Sequence, residues 1–288
     1  DDTLKFDGNS ISKDEPKGKI ICKRATTLHT EECTQTDESL YCSREGYIAS
    51  GSKGTSTITY GNLGTKGSLN SGDAFDCDVN GDGEYNPGTE RFYYVSDYYN
   101  TSTKKFESDT AVLIYFNNVN SGNPSTDSTY AYDSSGENWH GPRTLIAQLP
   151  TKNQWSNVSL KNVTRTIFNE ISGNTTTGGT LPSNFSYEGY AARLLTVEEI
   201  RQATRKSNIP TLEVGELNNA IYLMENTRFS SKNNGPWAWW LENSSSNYSN
   251  MAQNASGNTC NVNGNYVQDA GGNGVRPAIE VSKINIDY

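Results

Sequence analysis

The sequence is short of several things at once, and each shortage excludes a class of function. No apolar run approaches the roughly 20 residues that span a bilayer, so no membrane insertion is expected within this chain. The two histidines, His29 and His140, stand far apart, and no two cysteines form a C-x-x-C pair, so a zinc site is not expected. No Lys/Arg cluster interrupts a formal net charge of -9. An acidic chain repels phosphate backbones, which argues against a nucleic-acid partner. No G-x-S-x-G elbow accompanies Trp139-His140-Gly141-Pro142, and the carboxylates are dispersed. Neither a nucleophilic triad nor a glycosidase pair can therefore be read from the chain, and no catalytic residue is assigned.

What remains is polar, aromatic and rich in turns. Hydrophobic residues make up 33%, yet there are 17 Tyr, 8 Phe and 5 Trp, with 26 Gly. Such a chain reads as β-rich, loop-rich and extracellular in style. Ser56–Tyr60 alternates as a strand does, Arg91–Val95 follows, and Ala111–Phe116 is apolar throughout, as a central strand covered on both faces would be. Two Thr residues stand three before Gln or Glu, at Thr151/Gln154 and Thr196/Glu199, and each predicts a helix start through a capping box. The second helix is expected from Val197 to about Lys206. A short apolar element at Ala220–Met224, a Trp237–Leu241 run and a closing strand from Gly274 to Val281 complete the pattern. Few helices among many strands make the class α+β. Residues 1–50 are polar, irregular and cysteine-bearing, and read as an N-terminal extension stapled to a main domain at 51–288.

Five cysteines suit disulfides in an oxidising compartment better than metal ligation. Four of them allow three pairings. We favour Cys33–Cys42 with Cys22–Cys77, which leaves Cys260 over. Asp1 reads as the start of a mature or trimmed chain, with any anchor outside it.

Several phrases resemble one family. Arg193-Leu194-Leu195-Thr196-Val197-Glu198-Glu199-Ile200 resembles a helix start of proteins related to formylglycine-generating enzyme, and Gln148–Trp155 looks like a second version of it. Trp239-Trp240-Leu241, a polar stretch, and Gly274-Val275-Arg276-Pro277-Ala278 resemble the end of C-type-lectin-like domains in bacterial surface proteins. The variable proteins of diversity-generating retroelements are similar. The resemblance covers about residues 140–282. It implies a small twisted antiparallel sheet with flanking helices, a bacterial surface or extracellular location, and a binding role. The cysteine pair of the oxidase and the calcium-and-sugar triplets of the lectins are missing, so neither chemistry is carried over.

The candidate ligand surface is Asn243–Asn273, where nine of 31 residues are Asn. Its contact residues are Asn243, Ser245, Asn247, Tyr248, Asn250, Asn254, Asn258, Asn261, Asn263, Asn265 and Tyr266, with Trp237 before them. Tyr gives rigid contact area, and Asn and Ser give adaptable hydrogen bonds, as in antibody paratopes. Ordinary solvated turns have the same composition. Trp239 and Trp240 read as core, and Arg276 as a framework residue bound to an internal carboxylate or carbonyls.

Asp78, Asn80, Asp82, Glu84 and Asn86 match the start of a calcium loop, with Gly83 at the sixth position. Its twelfth position is Thr89, and Glu90 comes one residue late. Asn-Gly and Asp-Gly would equally mark a hairpin turn. Calcium, if held, is expected to be structural. Taken together, the expectation is a non-enzymatic module that binds a protein or glycan on another cell or a host surface, its contact residues varying from copy to copy if a retroelement diversifies them. The competing expectations are a pilus or surface-layer subunit and, behind that, an enzyme of the formylglycine-generating type.

Overall fold

The computed structural model describes residues 19–35, 54–119, 129–167, 183–205, 216–225, 238–245, 248–256 and 261–288. Their elements, in chain order, are β1 (Cys22–Arg24), β2 (Thr30–Gln35), β3 (Gly54–Thr59), β4 (Ala74–Cys77), β5 (Arg91–Asn100), β6 (Lys105–Tyr115), α1 (Arg143–Ile146), β7 (Thr164–Ile167), β8 (Ser183–Ser186), α2 (Val197–Thr204), β9 (Ala238–Ser244), β10 (Met251–Ser256), β11 (Asn261–Tyr266), β12 (Asn273–Gly274), β13 (Ala278–Ser282) and β14 (Ile286–Asp287). The chain is mostly sheet with few helices. No helix among the described residues is long and apolar enough to cross a membrane.

The largest sheet has the order β13-β6-β5-β4-β1-β14, and a second runs β11-β10-β9-β12. The apolar run at 111–116 lies in β6 as far as Tyr115, between β5 and β13. Its alternation divides it between two cores. Val112 and Ile114 pack with Tyr93, Val95, Trp239 and Leu241, while Ala111 and Leu113 pack with Phe92, Tyr94 and Ile279. Both faces are thus covered, as a continuous apolar strand requires. Period two also separates the tryptophans of β9. Trp239 faces the first core, and Trp240 faces a third with Tyr132, Leu145 and Val275.

The capping box at Thr196 forms. Thr196 Oγ1 accepts from Glu199 N at 3.2 Å, and Glu199 Oε2 accepts from Thr196 N at 3.0 Å. The one at Thr151 does not start a helix. Gln154 Oε1 does reach back to Thr151 N at 2.9 Å, but the chain makes only a turn there. The next residues are drawn off: Ser156 Oγ donates to Asn80 O, Asn157 N donates to Val79 O, and Asn157 Nδ2 donates to Asp78 O. With its backbone N–H spent on Val79, Asn157 cannot make the i to i−4 bond that would carry a helix on. The expected closing strand is likewise split into β12 and β13 around Arg276-Pro277, where Pro277 has no N–H for a ladder.

Cys22 and Cys77 face each other across β1 and β4 and are joined by a disulfide. Cys33 lies in β2, of which only the backbone is described, and Cys42 and Cys260 lie outside the described residues.

A buried ionic network ties the two large sheets and α2 together. Arg193 Nε donates to Glu280 Oε1 at 2.5 Å, and its Nη atoms donate to both oxygens of Glu199 at 2.6 and 2.9 Å. Arg165 Nε donates to Glu242 Oε1 at 2.6 Å, and its Nη1 to Tyr98 at 3.1 Å. Burial opposes the charge on Arg193. Glu199 and Glu280 outweigh it, so its pKa stands well above the ordinary guanidinium value.

Candidate functional site

The Asn-rich stretch divides by orientation. Asn243 and Asn254 are buried, and Ser245 nearly so. Asn243 Oδ1 accepts from Val197 N at 2.9 Å, which ties β9 to the start of α2. Asn254 Nδ2 donates to Asn273 Oδ1 at 2.7 Å across the sheet. Asn250 and Asn263 are exposed, and Asn261 and Asn265 half-buried. Asn265 Nδ2 donates to Asp269 Oδ2 at 2.8 Å, fixing the turn after β11. Trp237, Asn247 and Asn258 lie outside the described residues.

The two tyrosines of the stretch point outward, Tyr248 at 59% exposure and Tyr266 at 60%. Their placement is fixed from below. Tyr266 pairs with Met251 across the β10–β11 hairpin, and Met251 N closes the preceding turn onto Tyr248 O. A residue from far upstream holds that turn. Asn138 Nδ2 lies 2.8, 2.7 and 2.8 Å from the carbonyls of Ser245, Tyr248 and Met251, and Asn138 N donates to Ser249 O at 2.6 Å. Asn138 is fully buried, and the next residue, Trp139, is 43% exposed. Three of the exposed large side chains thus come from two segments bonded together at one corner.

The 133–141 segment is itself held in place. Asp133 N donates to Val267 O at 3.1 Å. Gly141 has φ +69, and the Phe185 ring lies 2.2 Å from where a Cβ would stand, so only glycine fits. Neither Asn138 nor Trp139 stands out in the sequence. The one local signal is Trp139-His140-Gly141-Pro142, an aromatic pair ahead of turn residues.

His140 does not form a relay. Its Nδ1 is 2.9 Å from Asp133 Oδ2 and 3.2 Å from Ser135 Oγ, so acid and hydroxyl crowd the same nitrogen. A triad needs them on opposite nitrogens. His29 is bonded on both sides, through Nδ1 to Glu225 Oε1 at 2.5 Å and through Nε2 to Pro87 O at 2.8 Å.

Arg276 acts on carbonyls. Nε and Nη2 donate to Tyr115 O at 3.1 and 2.8 Å, Nη2 also to Tyr222 O at 3.2 Å, and Nη1 to Leu223 O. The side chain is fully buried against Trp239.

The acidic loop between β4 and β5 is folded tightly. Asp78 Oδ1 accepts from Gly81 N at 2.8 Å, Asn80 Oδ1 from Asp82 N at 2.9 Å, and Asp82 Oδ1 from Glu84 N at 2.8 Å. A turn over Asn86–Glu90 then swings the last residue back, so that Asn86 N donates to Glu90 Oε2 at 2.9 Å. Carboxylate oxygens of Asp78, Asp82 and Glu90 come within 4.8 Å of one another. Burial, with Asp82, Asp78 and Asp76 nearby, raises the Glu90 pKa, and the bond from Asn86 lowers it in part. The Glu84 side chain is exposed, as is Asn86, whose Oδ1 accepts from Gly88 N at 2.8 Å.

No family model, no curated protein and no solved structure matches this chain.

Proposed function

We propose that this chain is an extracellular recognition module of C-type-lectin-like type from a bacterial surface, and that it holds a protein or glycan of another cell or host surface. The observation that carries the reading is the corner that joins Trp139, Tyr248 and Tyr266, three exposed aromatics on segments bonded to each other. Large aromatic side chains left in water on adjoining segments are candidates for a contact surface. Aromatics held on a rigid base lose little entropy on binding, and the Asn138 bonds supply that base. The exposed amides of Asn250 and Asn263 add hydrogen-bonding groups beside them.

The family part of the proposal is supported by the capped helix after Arg193 and by Arg276, buried against Trp239 of β9. The Cys22–Cys77 disulfide is compatible with an oxidising location. If the surface is diversified, variation should fall on outward positions such as Tyr248, Asn250, Asn263 and Tyr266, and spare Asn243 and Asn254, whose amides hold the sheet and α2.

Screening on glycan and surface-protein arrays would find the ligand. Each of Trp139→Ala, Tyr248→Ala and Tyr266→Ala is then expected to weaken binding about tenfold or more, roughly 1.4 kcal/mol, with the melting temperature unchanged. Native affinity in all three variants would sink the reading. Polymer formation at micromolar concentration would instead favour a structural subunit assembling through the open edge of β11.

A further inference from the structure

We propose that the loop from Asp78 to Glu90 is a calcium site, with Asp78, Asp82 and Glu90 as its carboxylate ligands, and that the ion locks the two ends of the loop together. The role is structural and independent of the aromatic corner.

The spacing fits one ion. Oxygens bound to a single calcium, each about 2.3–2.6 Å from it, stand at most about 5 Å apart. The three carboxylates converge within 4.8 Å. Clustering alone would be weak ground, since acidic turns are common. The second observation concerns Glu90, which is only 4% exposed. Its Oε2 accepts from Asn86 N, while its Oε1 is buried and has no hydrogen-bond partner among the described residues. A buried carboxylate oxygen with no donor is costly and calls for a cation. The chain offers a poor one. Lys19 Nζ is 4.0 Å from Asp78 Oδ2, its side chain is 64% exposed, and it donates to Asn157 Oδ1 at 3.0 Å instead.

The donor chemistry selects the metal. All three ligands are hard oxygens, with no nitrogen or sulfur among them, which disfavours zinc and copper. The backbone is a loop, not a rigid octahedral cage, which suits calcium above magnesium. Carbonyls and water would supply the remaining positions, because the side-chain oxygens of Asn80 and Asn86 already hold turns.

The site's surroundings give the ion its effect. Asp78 N donates to Ile21 O at 2.9 Å, and Tyr85 OH donates to Ile20 O at 3.0 Å. Ser156 Oγ and Asn157 Nδ2 donate to the carbonyls of Asn80 and Asp78 at 2.8 and 2.6 Å. Asp78 follows Cys77, half of the disulfide, and Glu90 precedes β5. An ion between them would brace the β4–β5 connection against the strand that carries Cys22.

The test uses the full chain, stripped of metal by chelation. Calorimetric titration with calcium chloride is expected to show one site of extracellular type, with Kd about 0.1–1 mM. Calcium at ten to a hundred times Kd should raise the melting temperature by about 2–5 °C. Magnesium should give less than half that shift, and terbium should show emission sensitised by nearby tyrosine. Asp82→Asn, at an exposed position, keeps the fold and should abolish the shift, as should Glu90→Gln. The proposal is overturned by the absence of both heat and shift at tenfold above ~1 mM calcium. It is overturned equally by a shift that survives in both variants, or by equal shifts from calcium and magnesium.

Discussion

Two groups of carboxylates in this molecule are treated in opposite ways. Glu199, Glu242 and Glu280 are buried, and each receives a guanidinium from Arg193 or Arg165. Asp78, Asp82 and Glu90 converge within 4.8 Å, yet among the described residues the cation that pairs with them is an exposed lysine at 4.0 Å from one of them. The first group joins elements that lie far apart in the chain, and the chain supplies its own counter-ions. The second closes a single loop, and on our reading its counter-ion comes from solution. Paired charges thus serve as fixed joints where the chain supplies the partner, and as a conditional joint where solution does.

The comparison is broken most severely at Arg193. Arg193→Ala strands Glu199 and Glu280 in a buried site, and chemical unfolding is expected to show a loss of about 3–5 kcal/mol. Added calcium should restore none of it. A loss below about 1 kcal/mol would mean that the network does not hold the sheets together. Glu90→Gln in metal-free protein sharpens the contrast, because it removes a charge that has no counter-ion among the described residues. Its stability should equal the native value or exceed it by about 1 kcal/mol, and a clear fall would show that Glu90 is already satisfied by the chain. The smallest effect is expected at Lys161, which pairs with Glu107 and Asp109 at 2.5 and 3.0 Å on a partly exposed rim. Lys161→Met should cost under about 1 kcal/mol, and the difference should shrink in high salt. A salt-independent loss would place that pair with the buried joints.

These differences also mark what can be read in a sequence. The helix start at Thr196 was legible because both halves of its capping box lie within four residues. The identical spacing at Thr151 misleads, because Ser156 and Asn157 are claimed by the loop at Asp78, more than 70 residues upstream. The pairs of Arg165 with Glu242 and of Arg193 with Glu280 leave no local trace, being 77 and 87 residues apart. The acidic loop is legible as a motif as far as Asn86. That Glu90 takes part despite its late position follows from the Asn86–Glu90 turn, a matter of backbone geometry. At the aromatic corner, composition pointed to Tyr248 and Tyr266 but also to Asn243 and Asn254, because one amide side chain looks like another until a fold decides which way it faces. Asn138, which holds the corner, is a single polar residue in a polar loop.

The parallel pairing of β1 with β14 has a mechanical consequence. Tension applied ahead of β1 and behind β14 drives two neighbouring parallel strands in opposite directions along their length. Their hydrogen bonds then share the load in shear and do not peel open one after another. Behind them, the bond between Cys22 and Cys77 passes the force directly across, so the 55 residues it spans, roughly 190 Å of extended chain, are never paid out.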